Sequence, residues 1–202
     1  MATYDSTKTS LLGTDNEAGT NPGTLVSGVG AVSGVSGVSV SEVPGGTGVN
    51  TTVITLSGVE QTVTNGTEYQ STKLYDFPEG NILILGVSGN VTQTTTSTLS
   101  STLNASSTGA ISLGTAAASN VALTSTMANV VPTTAFTSSA TINVAGTAVD
   151  LASTAVAFAN GMTTAADLYL NTGFATSTDV DGNATQEFDG TIVVKWILLG
   201  NA

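Results

Sequence analysis

The chain has 202 residues with 14 acidic side chains, three basic ones (Lys8, Lys73 and Lys195), no histidine and no cysteine, for a net charge of -11. Metal sites built on imidazole or thiolate, Ser-His and Cys-His nucleophile systems, c-type haem and iron-sulfur clusters all need residues it lacks. Clustered Lys and Arg able to neutralise phosphates are missing as well, which argues against nucleic-acid binding.

Residues 1–46 contain Gly13, Gly19 and Asn21-Pro22-Gly23, followed by a degenerate Gly/Val/Ser repeat from Val26 to Val40. Glycine at every second or third position makes a helix costly and leaves few side chains to build a core. The composition fits a flexible tail, whereas the regular Val spacing fits an arm that orders in extended form against a partner; both readings stay open. Pro44-Gly45-Gly46 marks a boundary. The expected organisation is therefore an extended N-terminal arm over 1–46 and a β-sandwich domain over 47–202.

From Asn50 the pattern is β. Val53–Leu56 and Val59–Thr64 are β-branched runs separated by Ser57-Gly58, and Asn65-Gly66 predicts a hairpin over Thr62–Tyr69. Thr67–Asp76 continues as a polar strand. Phe77-Pro78-Glu79-Gly80 reads as a turn, since Pro presets φ and Gly accepts a positive one. Asn81–Val87 is apolar on both faces and reads as a strand covered on both sides. Ser88-Gly89-Asn90 predicts a turn into a further strand, Val91–Thr98.

Ala110–Leu113, Asn120–Leu123, Asn129–Val131 and Thr137–Ala145 are the next strand candidates. Val149–Phe158 has some helical spacing, but its Thr and Val content and the following Asn160-Gly161 favour a strand. Ala165–Thr176 reads as a strand through Leu168-Tyr169-Leu170, and Asp179 to Asn183 as a tight turn. In the last strand, Thr185–Leu199, one face carries Ile192, Val194, Trp196 and Leu198 and the other Val193, Lys195 and Ile197, which predicts a central and largely covered strand. Short strands separated by turn signals indicate an all-β antiparallel sandwich or barrel.

Charge is distributed unevenly. Ser and Thr make up 59 of the 202 residues, charged residues only 8%, and soluble proteins typically have about 25%. Gly80–Val149 is a run of 70 residues without one ionisable side chain. Close, shape-matched contacts suit such a surface, because desolvating charges is expensive. That segment is expected in the core or against neighbouring subunits, with the acids on solvated turns or opposite basic patches of a partner.

Candidate sites are few. Asp179, Asp181, Gly182 and Asn183, with Glu187 and Asp189 following, resemble part of a calcium loop. The Gly comes too early and no helix flanks it, so an Asp-Gly hairpin turn accounts for the same residues. Asp76 and Glu79 have the composition of a paired-carboxylate site, but sequence spacing does not give the separation such chemistry needs, and a turn flanked by solvated acids is the better account of them. Gly28-x-Gly30 lacks the Lys and the helix of a phosphate cradle. Trp196, which could stack on a sugar, lies on the apolar face of a core strand and reads as packing. The apolar runs are too short to cross a membrane, no secretory signal is expected, and the Asn-X-Ser/Thr triplets at Asn50, Asn65, Asn90, Asn104 and Asn183 follow from the Thr-rich composition. No catalytic, cofactor-binding or metal-ligating residue is assigned.

The stretches Lys73–Gly86 (KLYDFPEGNILILG) and Asp167–Thr176 (DLYLNTGFAT) resemble a group of tailed-bacteriophage virion proteins, with a YDFPEG turn leading into an apolar strand and a D-x-Y-L-N strand before a Thr- and Val-rich last strand. The resemblance covers roughly residues 50–200, and the Gly/Val arm has no counterpart in it. It implies a capsid cement or decoration protein, jelly-roll-like, trimeric on the outer surface of the virion head. The expectation is thus a non-enzymatic homotrimer that binds the major capsid protein and bridges capsomers through avidity, without nucleic-acid or membrane partners. The alternative is a host-recognition module, such as a tail-fibre tip or glycan-binding adhesin.

Overall fold

The computed structural model describes residues 30–31, 35–43, 48–96, 108–137, 148–153, 157–161, 166–174 and 182–200. In chain order the strands are β1 (Gly30–Ala31), β2 (Val38–Val43), β3 (Asn50–Val63), β4 (Tyr69–Asp76), β5 (Gly80–Thr95), β6 (Thr108–Gly114), β7 (Val131–Thr137), β8 (Val149–Ser153), β9 (Ala157–Gly161), β10 (Asp167–Gly173) and β11 (Ala184–Gly200), with one 3-10 turn at Ser125–Met127. They form two antiparallel sheets, β1-β4-β10-β6-β7 and β2-β3-β11-β5-β8, with β9 also pairing β5. This is the all-β sandwich that the alternating pattern indicates. Val38–Val43, inside the segment assigned to the arm, is the outer strand beside β3; residues 1–29 lie outside the described residues.

The alternation of β11 sets the core. Phe188, Ile192, Val194 and Trp196 are buried against the facing sheet, and β11 pairs along its length with β3 on one side and β5 on the other. Two aromatic groups fill the ends of the interior. Phe77 meets Tyr75 edge-on at 4.8 Å and Trp196 at 5.4 Å, while Phe136 meets Phe174 at 5.7 Å and Phe188 at 6.4 Å. Edge-to-face pairs of this kind add about 0.5–1.5 kcal/mol beyond their buried area.

Next to the Phe188 group the interior turns polar. Gln61 Nε2 donates to Thr72 Oγ1 and to the Leu170 carbonyl, both at 3.1 Å, Thr172 Oγ1 donates to Gln61 Oε1 at 2.6 Å, and Gln186 Nε2 donates to Thr172 Oγ1 at 3.2 Å. These bonds tie the sheets together across the core. Within the six-stranded sheet a second chain of bonds reaches β2: Trp196 Nε1 donates to Thr52 Oγ1 and Thr52 Oγ1 donates to Glu42 Oε1, each at 2.8 Å. Burial raises the Glu42 carboxyl above its ordinary value, against hydrogen bonds from Tyr75 and Thr52 that lower it.

Two of the glycines read as turns lie inside strands. Ser88-Gly89-Asn90 does not turn the chain, because β5 runs unbroken from Gly80 to Thr95. A Cβ at Gly89 would meet Thr191 O at 2.7 Å and Ile192 Cα at 3.0 Å, so glycine is there to let β11 come near. Ser57-Gly58 likewise lies inside one strand, at a register irregularity opposite Asp189, whose Oδ1 accepts from Gly58 N at 2.8 Å. Asn65-Gly66 does turn, with Gly66 at φ +85°, but the expected Thr62–Tyr69 hairpin is reduced to one bridge, Thr64 with Thr67. Beyond it the chain leaves one sheet for the other, since β3 must pair with β11 and β4 with β10.

Val149–Phe158 divides into β8 and β9, both on β5. Asn120–Leu123 is not a strand but part of the bent connection between β6 and β7, and the strand expected at Asn129–Val131 starts at Val131. Of Thr137–Ala145, residues 138–145 lie outside the described residues, as do 97 and 98 of Val91–Thr98.

Candidate functional site

The described residues of the uncharged segment are partly in the core and partly at the surface. β5, between β11 and the β8/β9 edge, supplies Ile82, Ile84 and Val91 to the core. The connection from Thr115 to Val130 folds back over the outer face of the five-stranded sheet. One buried residue holds it there: Asn171 Nδ2 donates to the Ala116 carbonyl at 3.0 Å and the Met127 carbonyl at 2.8 Å, and its Oδ1 accepts from Ala118 N at 2.9 Å. Ser112 Oγ also donates to Met127 O at 2.8 Å, and the Asn129 side chain closes a mutual pair with Thr115 at 3.0 Å in both directions. Gly114 fits because a Cβ would lie 2.3 Å from backbone atoms of Thr126 and Met127.

What this fixed connection turns to solvent is small and neutral. Ala117, Asn120, Ala122 and Thr124 are exposed, and Pro132, Thr133 and Ala135 extend the same chemistry along the edge strand β7. Among the described residues, the uncharged segment expected in the core or at contacts is thus buried in some stretches and exposed in others.

A second surface lies on the outer face of the six-stranded sheet. Sequence alternation predicts that the Val193-Lys195-Ile197 face of β11 is covered; instead Lys195 is exposed, Val193 and Ile197 are only partly buried, and Leu199 is 51% exposed. Val43 at the β2 edge is 55% exposed. The outer side of Asn81–Val87, also expected to be covered, carries partly buried Leu83 and Leu85. The central position of both strands buries one face of each, and the described residues supply no third layer for the other.

Asp76 finds its carboxylate partner in Asp167, not in Glu79. β4 and β10 pair Asp76 with Asp167 directly, and Lys73 bridges them, contacting Asp76 and lying 2.8 Å from Asp167 Oδ1. Burial raises both acids, but the hydrogen bonds of Asp76, Lys73 and Tyr169 to Asp167 outweigh it there and hold that carboxyl below the usual range. Asp76 stays above its own, through burial and its hydrogen bond to Asp167. Tyr169 Oη donates to Asp167 Oδ2 at 2.9 Å. The cation partner of this pair makes it a structural cluster on the sheet's outer face.

Of the calcium-like residues, Asp179 and Asp181 lie outside the described residues, Asp189 caps Gly58, and Glu187 is partly buried on β11. Among the described residues no group of three or more His, Cys, Asp or Glu is placed to hold a metal ion, and no helix is long and apolar enough to cross a membrane. Trp196 is core, 1% exposed. Asn171 and Glu42 carry structure that the sequence reading missed; an Asn inside an otherwise apolar strand and a Glu alternating with Val38 and Val40 are the signals that could have found them.

No protein-family model and no curated protein matches this chain. Among solved structures it is similar to a chain described as "Structure of infectious bursal disease virus Gt strain", at 13% identity and TM-score 0.38, over 73% of this chain and 32% of that one. A second, described as "Crystal structure of infectious bursal disease virus VP2 subviral particle", matches at 15% identity and TM-score 0.38, over 76% of this chain and 34% of that one. The chain spans about a third of the length of these solved chains.

Proposed function

We propose that this protein is a structural component of a virion, binding the outer surface of a phage capsid and cementing its capsomers by contact, without catalysis. The observation that carries the reading is the uncharged surface formed by the Thr115–Val130 connection and β7. Its backbone is pinned by Asn171, Ser112 and Asn129, so little ordering entropy is lost when a partner seats on it. Its side chains present no charge to desolvate. The acids at Glu60 and Asp189 lie exposed on the other sheet, free to meet basic patches of a shell. The resemblance of Lys73–Gly86 and Asp167–Thr176 to phage virion proteins supports the same assignment, and with it a homotrimer whose three modest contacts act together.

A reconstruction of the particle tests it. Density for this chain on the outer shell at capsomer stoichiometry supports the reading, and its presence only as a minor tail component overturns it. Ala135→Glu places a charge on exposed β7 without touching the core. It is expected to leave the thermal midpoint unchanged and weaken capsid attachment about tenfold or more; undiminished attachment would remove β7 from the contact.

A further inference from the structure

One end of the sandwich holds a depression of about 530 Å³ between the β6–β7 connection, β9 and the start of β10. Its size falls in the range of small-molecule sites, about 300–1,000 Å³. Small side chains make the room, with Ala116, Ala117, Ala159 and Ala166 in the walls. Two aromatic residues are also in the lining. Phe158 is 54% exposed, a large apolar ring left in water at an edge strand, and Tyr169 stands on the β10 side.

The polar groups around the depression both donate and accept. The Asn129 amide uses one N–H and one lone pair on Thr115 and keeps the others, and the Thr115 hydroxyl, having accepted from Asn129, still has its own proton to donate. Tyr169 Oη donates to Asp167 and keeps acceptor capacity. Asp167 is the one ionisable carboxyl in the lining, and Lys73 already compensates it from outside the depression. Among the described lining residues there is no Lys or Arg to hold a phosphate or carboxylate, and no second carboxylate to hold a cation.

A ligand matched to these walls is uncharged, carries hydroxyls that donate and accept, and has an apolar face for an aromatic ring. A pyranose has all three properties. We propose that this depression binds a neutral saccharide of one or two pyranose rings, stacked on Phe158 and hydrogen-bonded by Thr115, Asn129 and Tyr169. The depression borders the contact surface proposed above and shares Ala117 with it, but Phe158, Ala159 and Tyr169 lie outside that surface.

The test is an amide-resolved NMR titration of the full chain at pH 7 with glucose, galactose, mannose, N-acetylglucosamine and the disaccharides cellobiose, lactose and chitobiose. Concentrations up to about 50 mM reach millimolar affinities. At least one of these probes is expected to give saturable shifts at Thr115–Ala117, Asn129, Phe158–Asn160 and Asp167–Tyr169. Phe158→Ala, at an exposed position that leaves the core intact, and Tyr169→Phe, which removes one hydroxyl, should each weaken that binding about tenfold. N-acetylneuraminate, whose carboxylate meets no cation in the lining, should bind more weakly than the best neutral sugar. The proposal is overturned by no saturable shift with any of the seven, by shifts that Phe158→Ala leaves unchanged, or by N-acetylneuraminate binding as tightly as the neutral sugars.

Discussion

Thr52→Val isolates the hydrogen-bonded link that ties β2 to the core. The substitution keeps volume and β-branching and removes only the hydroxyl, which accepts from Trp196 Nε1 and donates to Glu42 Oε1, each at 2.8 Å. Trp196 is 1% exposed and Thr52 fully buried, so no water replaces the lost acceptor. An orphaned buried donor costs about 1–3 kcal/mol, and the bond lost by the partly buried Glu42 adds about 1 kcal/mol, giving about 2–4 kcal/mol in all. With a urea m-value of about 2–3 kcal/mol/M for a domain of this size, the midpoint should fall by about 1 M. Trp196 is the only tryptophan in the chain, so its fluorescence follows both the transition and the change in its own surroundings. Thr52→Ser keeps the hydroxyl and gives up a methyl, and should cost only about 1 kcal/mol. The reasoning is refuted if Thr52→Val falls within about 0.5 kcal/mol of the parent protein, or if Thr52→Ser is destabilised as much as Thr52→Val.

Glu42→Gln tests the pH dependence of the same link. Burial raises Glu42 above 4.5, so the folded state holds the proton more tightly than the unfolded state. Its contribution to stability is complete below about pH 4.5 and is lost as pH rises through the raised folded value. The glutamine variant should therefore match the parent at pH 4 and exceed it at pH 7 in chemical denaturation; lower stability at pH 7 would contradict the sign. In the polar interior, Gln186 Oε1 is buried without a partner. Gln186→Met should be neutral or stabilising, whereas Gln61→Met, which strands Thr172 and Thr72, should cost about 2 kcal/mol; equal costs from thermal melts would show that the two glutamines are not distinct.

The legible parts of this fold are those that local alternation encodes. β11 and β3 declare their buried faces, the Phe77–Gly80 turn is written in Pro78 and Gly80, and the lack of charge in Gly80–Val149 is plain by inspection. Glycine is the main ambiguity, because the residue that permits a turn also permits an irregularity or a close approach of two backbones inside a strand, and only the neighbouring strand decides between them. At both Gly89 and Gly58 that neighbour is β11, far along the chain: it comes close at Gly89 and slips register opposite Gly58, whose φ is +63°. The same non-locality hid the partner of Asp76: spacing offered Glu79, but antiparallel pairing of β4 with β10 delivered Asp167. The depression beside Phe158 was illegible for a related reason, since its walls come from three separate stretches of chain. Trp196, the ring that composition offers for stacking on a sugar, is core as its alternation indicates, and the exposed ring is Phe158 on the edge strand β9.

In both sheets a middle strand is among the last in chain order. β11 lies between β3 and β5, and β10 between β4 and β6. During synthesis the earlier strands therefore wait with an unpaired side where the last two will go, and neither sheet can close until those segments have emerged from the ribosome. Such a topology is rich in non-local pairing and slow to form, and open strand edges invite association with other copies. Glu60 on β3, together with Thr and Gln placed inside β3 and β5 where more apolar residues would give a larger core, keeps those waiting edges soluble. The composition that leaves the finished surface nearly without charge thus also protects the unfinished chain from associating too early.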